Sequence, residues 1–274
     1  MTDTMPTDQA AGETGPLWGH IRPSAIEWEQ FHDPHGRPTT PVRVLSAGSP
    51  AILQASFPPD FHAGDHWHPF DTIYIFTAGE MRVGDEGAYR PGDVRWVRAG
   101  HVYGPEEAGP DGVEFFLVSL GGDIGLNWAD LYDVPEELTA RLDDGRPRWG
   151  RANLDELDWA MFDDPAGRPT TPVQVVAAEG PDILRTKFPS DFVAGEHWHD
   201  FDTIYFILDG SMEFGPQEPM YEKGDIRWVR GGHAYGPEKP GPDGVDFLLV
   251  SVGGAVALHW SDLEPAPHGR LPLS

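Results

Sequence analysis

The sequence predicts an all-β protein made of two tandem barrels, and three observations carry that expectation. Residues 33–83 return at 164–214 and residues 92–122 at 224–254, with 53 of 82 aligned positions identical, so the chain holds two homologous modules. Within each module, short runs of Val, Ile, Phe and Tyr alternate with Gly, Pro and Asp, and no stretch sustains a helical apolar period. The chain also has 33 Gly and 28 Pro without regular spacing, a density of turns suited to many short strands. Such strands packed into so short a module suit a jelly roll or small barrel.

Taken in order, residues 1–16 read as a polar, acidic tail with none of the apolar core or basic flank of a secretory signal. The N-terminal module spans 17–131, with strands expected over Ile52–Phe57, Ile73–Phe76, Val94–Val97 and Val113–Leu120. Residues 132–147 form a linker in which Pro135 to Leu142 predicts a short helix with proline in its first turn. The C-terminal module spans 148–264, and 265–274 is expected to be a loose, Pro-rich tail. Trp18, Trp28, Trp67, Trp96 and Trp128 all recur in the second copy, which points to core and interface packing.

Composition excludes several function classes. Against 19 Lys and Arg stand 45 Asp and Glu, a net charge of −26, which disfavours nucleic acid and anionic membrane as partners. Cysteine is absent, so disulfides, thiolate catalysis and cysteine-held metals are excluded. No apolar run approaches the roughly 20 residues that span a bilayer. A cytoplasmic protein with a small-molecule partner is expected, and a homodimer is compatible with the sequence.

Six of the 12 histidines occupy repeat-equivalent positions: His66 and His197, His68 and His199, His101 and His233. On a strand, His-x-His places both imidazoles on one face, a half-site for Fe, Mn, Ni, Zn or Cu. The competing reading is a packed, hydrogen-bonded pair near a barrel mouth. Both copies sit after the same Gly and before the same Asp-Thr-Ile-Tyr, which favours ligation.

These residues resemble a known family. Gly64-x-His66-x-His68 with Tyr74 and Gly79, followed by Pro91-Gly92-Asp93-Val94 and Arg98-Ala99-Gly100, resembles the two motifs of the cupin superfamily. Gly195-x-His197-x-His199, Gly210, Lys223-Gly224-Asp225-Ile226 and Arg230-Gly231-Gly232 repeat them. The resemblance covers nearly the whole chain and implies a bicupin: two tandem double-stranded β-helix jelly rolls. It also implies a divalent metal, iron first, with Mn, Ni, Zn or Cu as alternatives. The family's metal-binding Glu falls at Thr72 and Thr203, and its fourth ligand, a His, at Tyr103 and Tyr235. If the strand is regular, His101 and His233 share the face of those tyrosines. A set of three His, or two His with a Tyr phenolate, is then open, and His101 is the preferred third ligand.

Other repeated polar residues carry two readings. Asp71 and Asp202 are expected in loop support rather than ligation. Arg95 and Arg227, Arg98 and Arg230 are either forks for a substrate carboxylate or ion pairs that hold loops. Tyr74 and Tyr205 are expected on the inner face with Met81 and Met212. The functional expectation is a metal-dependent enzyme on a small organic molecule, oxygenation of the dioxygenase type first. Tyr74, Thr72 or Tyr103, and in the second copy Tyr205, Thr203 or Tyr235, would position substrate or move a proton. The alternative is a non-catalytic cupin that binds a small molecule or sugar, or senses metal.

Overall fold

The computed structural model describes residues 16–164, 166–178, 181–216 and 218–271. The expected tail over 1–16 therefore lies almost wholly outside the described residues. Strands form where the apolar runs predict them, at Ala51–Phe57, Thr72–Val83, Asp93–Val97 and Glu106–Ser119, with counterparts at Asp182–Phe188, Thr203–Glu213, Ile226–Val229 and Lys239–Ser251. The linker carries the helix Glu136–Leu142, capped by Pro135, whose carbonyl accepts the Leu138 and Thr139 amides. Among the described residues the named strands pair antiparallel throughout, and the fold is all-β.

The long strands are buried on both faces, which explains why they read as continuous apolar runs. In Thr72–Val83, Tyr74 and Phe76 enter the core of the N-terminal barrel, while Ile73 and Ile75 face the other module. There they meet Ile204 and Phe206 in a shared core, with Phe116 and Phe206 rings 5.6 Å apart. Alternation thus sorts one run between a barrel interior and the seam joining the barrels.

The modules also exchange edge strands. The sheet holding the first site runs Trp149–Asn153, Asp93–Val97, Thr72–Val83, Glu106–Ser119, Ala51–Phe57, Pro41–Ala47, Glu29–Gln30. Its first member comes from the second half of the chain. Reciprocally, Trp18–Ile21 pairs with Ile226–Val229. A glycine permits each crossing: a Cβ on Gly150 would stand 2.0 Å from the Trp96 ring, and one on Gly19 2.4 Å from Trp228 Nε1. The modules expected at 17–131 and 148–264 are thus each completed by the other's first strand.

The C-terminal segment departs from expectation. Through 271 it packs on the second barrel, with Leu271 buried and its amide bonded to the Ala234 carbonyl. His20, on the exchanged strand Trp18–Ile21, is half-buried and bonds Asp225 at 2.8 Å. Among the described residues no helix is long and apolar enough to cross a membrane.

Candidate metal and substrate site

The His-x-His segment is held by two neighbours. His66–Trp67 pairs with Asn127–Trp128, and His66 exchanges 3.0 Å backbone hydrogen bonds with Tyr103. These fix both imidazoles in the barrel, where His66 is 2% and His68 4% exposed. His66 Nδ1 lies 2.8 Å from the Gly64 carbonyl and His68 Nδ1 2.7 Å from the Ile124 carbonyl. A carbonyl only accepts, so each Nδ1 carries the proton and each Nε2 presents a lone pair. Burial lowers the His66 imidazole to about 4 and His68 to about 3, so both are neutral at physiological pH.

Facing them is Glu106, 3% exposed, from the start of strand Glu106–Ser119. Its Oε1 stands 3.9 Å from His66 Nε2, and burial raises its carboxyl to about 7. Glu106 Oε1 and His68 Nε2 are both buried with no hydrogen-bond partner. Sequence reasoning missed this residue as a site member. The signal was present, since Tyr103-Gly104-Pro105-Glu106 recurs as Tyr235-Gly236-Pro237-Glu238.

The second module repeats the arrangement. His197 Nδ1 bonds the Gly195 carbonyl, His199 Nδ1 the Ala257 carbonyl, and His197 Nε2 lies 3.7 Å from Glu238 Oε1. Burial lowers His197 to about 4 and His199 to about 3, and raises Glu238 to about 7. Again His199 Nε2 and Glu238 Oε1 lack partners.

The expected third ligand is not where the sequence reading placed it. Gly100 takes φ +77° and the His101 amide bonds the Arg98 carbonyl, so residues 98–101 turn instead of running as a strand. His101 consequently lies outside the cavity wall, with its ring 6.2 Å from that of Tyr103. His233 is likewise off its cavity, against His268 with rings 5.4 Å apart. The tyrosines of the phenolate alternative are hydrogen-bonded to each other. Tyr103 and Tyr74 share a 2.5 Å hydroxyl hydrogen bond, and burial drives both phenols well above their usual range. Tyr205 and Tyr235 are bonded in the same way.

Tyr74 lines the cavity, while the Tyr103 ring packs on His66 at 4.5 Å and His68 at 6.1 Å. Thr72 and Thr203 are buried but stand behind the cavity walls rather than in them. Asp71 Oδ1 accepts the Ala99 amide and Asp202 Oδ1 the Gly231 amide, so both carboxylates support loops. Behind Tyr103, the buried Arg95 forms a bidentate pair with Glu86 and lies 4.2 Å from the Tyr103 ring. Arg227 pairs with Glu218 likewise, while Arg98 grips Asp144 and the Arg141 carbonyl. None of these guanidinium groups reaches the cavity.

The donor chemistry suits a divalent metal: two neutral imidazoles and one carboxylate, each with a free buried atom or lone pair. Among the described residues, however, no three His, Asp or Glu side chains stand close enough together to hold a metal ion as they are placed. The 3.9 Å between His66 Nε2 and Glu106 Oε1 is too long for a hydrogen bond.

No protein-family profile and no curated protein matches the chain. Solved structures do. A proposed dioxygenase from Nostoc punctiforme superposes with a TM-score of 0.69 at 17% identity, over 90% of this chain and 88% of that one. The Bacillus subtilis oxalate decarboxylase, in a two-residue deletion form, gives 0.60 at 14% identity, over 90% and 80%. The Lactobacillus farciminis oxalate decarboxylase, with formate, gives 0.59 at 13% identity, over 90% and 89%.

The chain has the bicupin fold. At these identities the likeness speaks for the bicupin architecture and leaves the chemistry to the site itself.

Proposed function

We propose that this bicupin is a metal-dependent enzyme acting on a small organic molecule in its N-terminal barrel. The observation that carries the reading is the set of His66, His68 and Glu106 around a cavity of about 560 Å³, with His68 Nε2 and Glu106 Oε1 buried and free. Buried polar atoms without partners are costly; Thr72, Thr203, Arg95 and Arg227 also carry one each, but those of the His and Glu residues are the ones on side chains lining the cavities, in both barrels. A bound divalent ion would supply Lewis acidity and an open coordination position. Support for such an ion also comes from the B. subtilis oxalate decarboxylase, which has Mn(II) centres. Manganese and iron are both carried into the test, and dioxygenase-type oxygenation is the reaction class assayed first.

This chain's own residues have separate tasks. His66 and His68 hold their Nε2 atoms toward the cavity because their Nδ1 protons are tied to carbonyls. Glu106 offers a buried carboxyl at Oε1, which burial holds protonated up to about 7 when no metal is bound and which would have to give up its proton to hold one. Tyr74 presents its ring at the wall and keeps its proton in the Tyr103 pair. Elemental analysis of purified protein should find close to stoichiometric divalent metal. His66→Ala with His68→Ala should remove the metal from the N-terminal barrel while circular dichroism stays unchanged. Oxygen uptake with a panel of small organic substrates then reads the reaction class. The open donor spacing favours one other reading, a metal-free binding barrel, and metal-free protein that still binds ligand would decide for it.

A further inference from the structure

The two barrels share a donor set but not a cavity. The N-terminal space is about 560 Å³ and the C-terminal one about 100 Å³, room for only a few waters beside its imidazoles. Small-molecule sites span roughly 300–1,000 Å³. Two repeat-equivalent positions account for part of the closure. Asp182 accepts the Val256 amide at 2.9 Å and clips the segment before Trp260 onto strand Asp182–Phe188. Its counterpart in the first module is Ala51, which cannot make that bond, and both Ala51 and Ile124 border the larger cavity. Thr186 fills the second wall and is pinned by Thr171 and the Pro172 carbonyl, where the first module has Ala55.

The chemistry of the open wall is as informative as its volume. Val42, Leu53, Phe57, Phe61, Phe115 and Leu117 line it. Among the described residues no Lys or Arg faces it, whereas Asp33, Glu106 and Asp123 do. Of the guanidinium groups behind the wall, Arg95 is spent on Glu86 behind Tyr103, and Arg37, stacked on the Trp128 ring, is spent on Asp130. A carboxylate entering this space would lose its water, find no side-chain cation on the wall and meet three acids in a chain of net charge −26, so only the proposed metal could offer it a positive charge.

We propose that the substrate is an uncharged, largely apolar molecule with a single polar end, bound only in the N-terminal barrel, and that Ala51 and Ala55 keep that barrel open while Asp182 and Thr186 close the other. This rests on the reading of His66, His68 and Glu106 as the reacting end, but its test needs no metal and no turnover.

The probe is N-phenyl-1-naphthylamine, a neutral fluorophore that brightens in apolar surroundings. Wild-type protein should bind one equivalent saturably. Neutral 2-naphthol should displace it, and 2-naphthoate or oxalate at pH 8 should not. Ala55→Thr, which can bond Thr40 as Thr186 bonds Thr171, should weaken binding by about fivefold or more, as overpacking a wall does. Ala51→Asp should act in the same direction through the clip. In the reverse experiment Asp182→Ala with Thr186→Ala should add a second equivalent, a gain that misfolding cannot imitate while melting stays cooperative. The proposal is overturned if the anions displace the probe as well as 2-naphthol does, if Ala55→Thr and Ala51→Asp bind like wild type, or if the reverse variant gains nothing. Metal content is read on the same samples. Probe binding that follows these rules in protein without metal refutes the metalloenzyme and leaves the substrate class standing.

Discussion

Metal-free protein should lose stability steeply in mild acid, and the buried imidazoles set the size of the loss. His66 and His197 fall from 6.5 to about 4 on folding, and His68 and His199 to about 3. Their folded forms bind fewer protons than the unfolded chain, so their contribution is complete above 6.5 and drains away as pH falls below it. Glu106 and Glu238 run the other way. Each rises from 4.5 to about 7, so each contributes most below 4.5 and loses that as pH climbs to 7. Between pH 6.5 and 4.5 four imidazoles oppose two carboxylates, and two groups' worth of slope remains. At about 1.4 kcal/mol per group per pH unit this is roughly 3 kcal/mol per unit, or on the order of 5 kcal/mol across the window. That rivals the whole stability of many domains, roughly 5–15 kcal/mol. Calorimetry on chelator-treated protein should show the melting temperature greatest near pH 6.5 and lower by about 10 °C at pH 4.5. His66→Gln with His68→Gln leaves two imidazoles against two carboxylates and should flatten the window. A wild-type melting temperature that is level or rising from 6.5 to 4.5 would refute the reasoning.

Two further perturbations probe the frame behind the site. Arg95→Met strands the Glu86 carboxylate in the interior and should cost about 3–5 kcal/mol in urea unfolding, with much of that recovered when Glu86→Gln is added. Gly150→Ala drives a methyl into Trp96, 2.0 Å away, at the exchanged strand. It should lower stability by about 1–3 kcal/mol, and hydrogen exchange should show the loss first at the Trp96 and Gly150 amides.

The repeat made the fold legible because identity between the halves reports shared strands, whichever sheet each strand finally joins. Strand exchange was invisible for that same reason: Trp18-Gly19 and Trp149-Gly150 look alike in either sheet, and only the fit of glycine under Trp96 or Trp228 tells them apart. The His-x-His pairs could be read because alternation constrains neighbours two apart. His101 could not, because a positive-φ glycine just before it broke the alternation the inference relied on. Glu106 escaped notice because it follows a turn, 38 residues beyond His68, at a distance that no local period spans.

The C-terminal half earns its place even with a closed cavity, because the open site leans on it. Arg95, which backs Tyr103, sits on strand Asp93–Val97, and that strand's outer partner is Trp149–Asn153 from the other half, with Arg151 opposite Arg95. Arg151 also reaches Asp93 at 3.5 Å and lies 4.6 Å from the Tyr89 ring, whose hydroxyl bonds Glu86. The path from Arg151 through Tyr89, Glu86 and Arg95 to Tyr103 ends on the His66 ring. A barrel that closed its own cavity would lose nothing as a brace. Filling its wall with Thr186 and clipping its segment with Asp182 makes it a firmer one. If the N-terminal barrel receives the ligand as proposed, the difference in cavity volume and the exchange of strands describe one division of labour, with the other barrel holding the receiving one in shape.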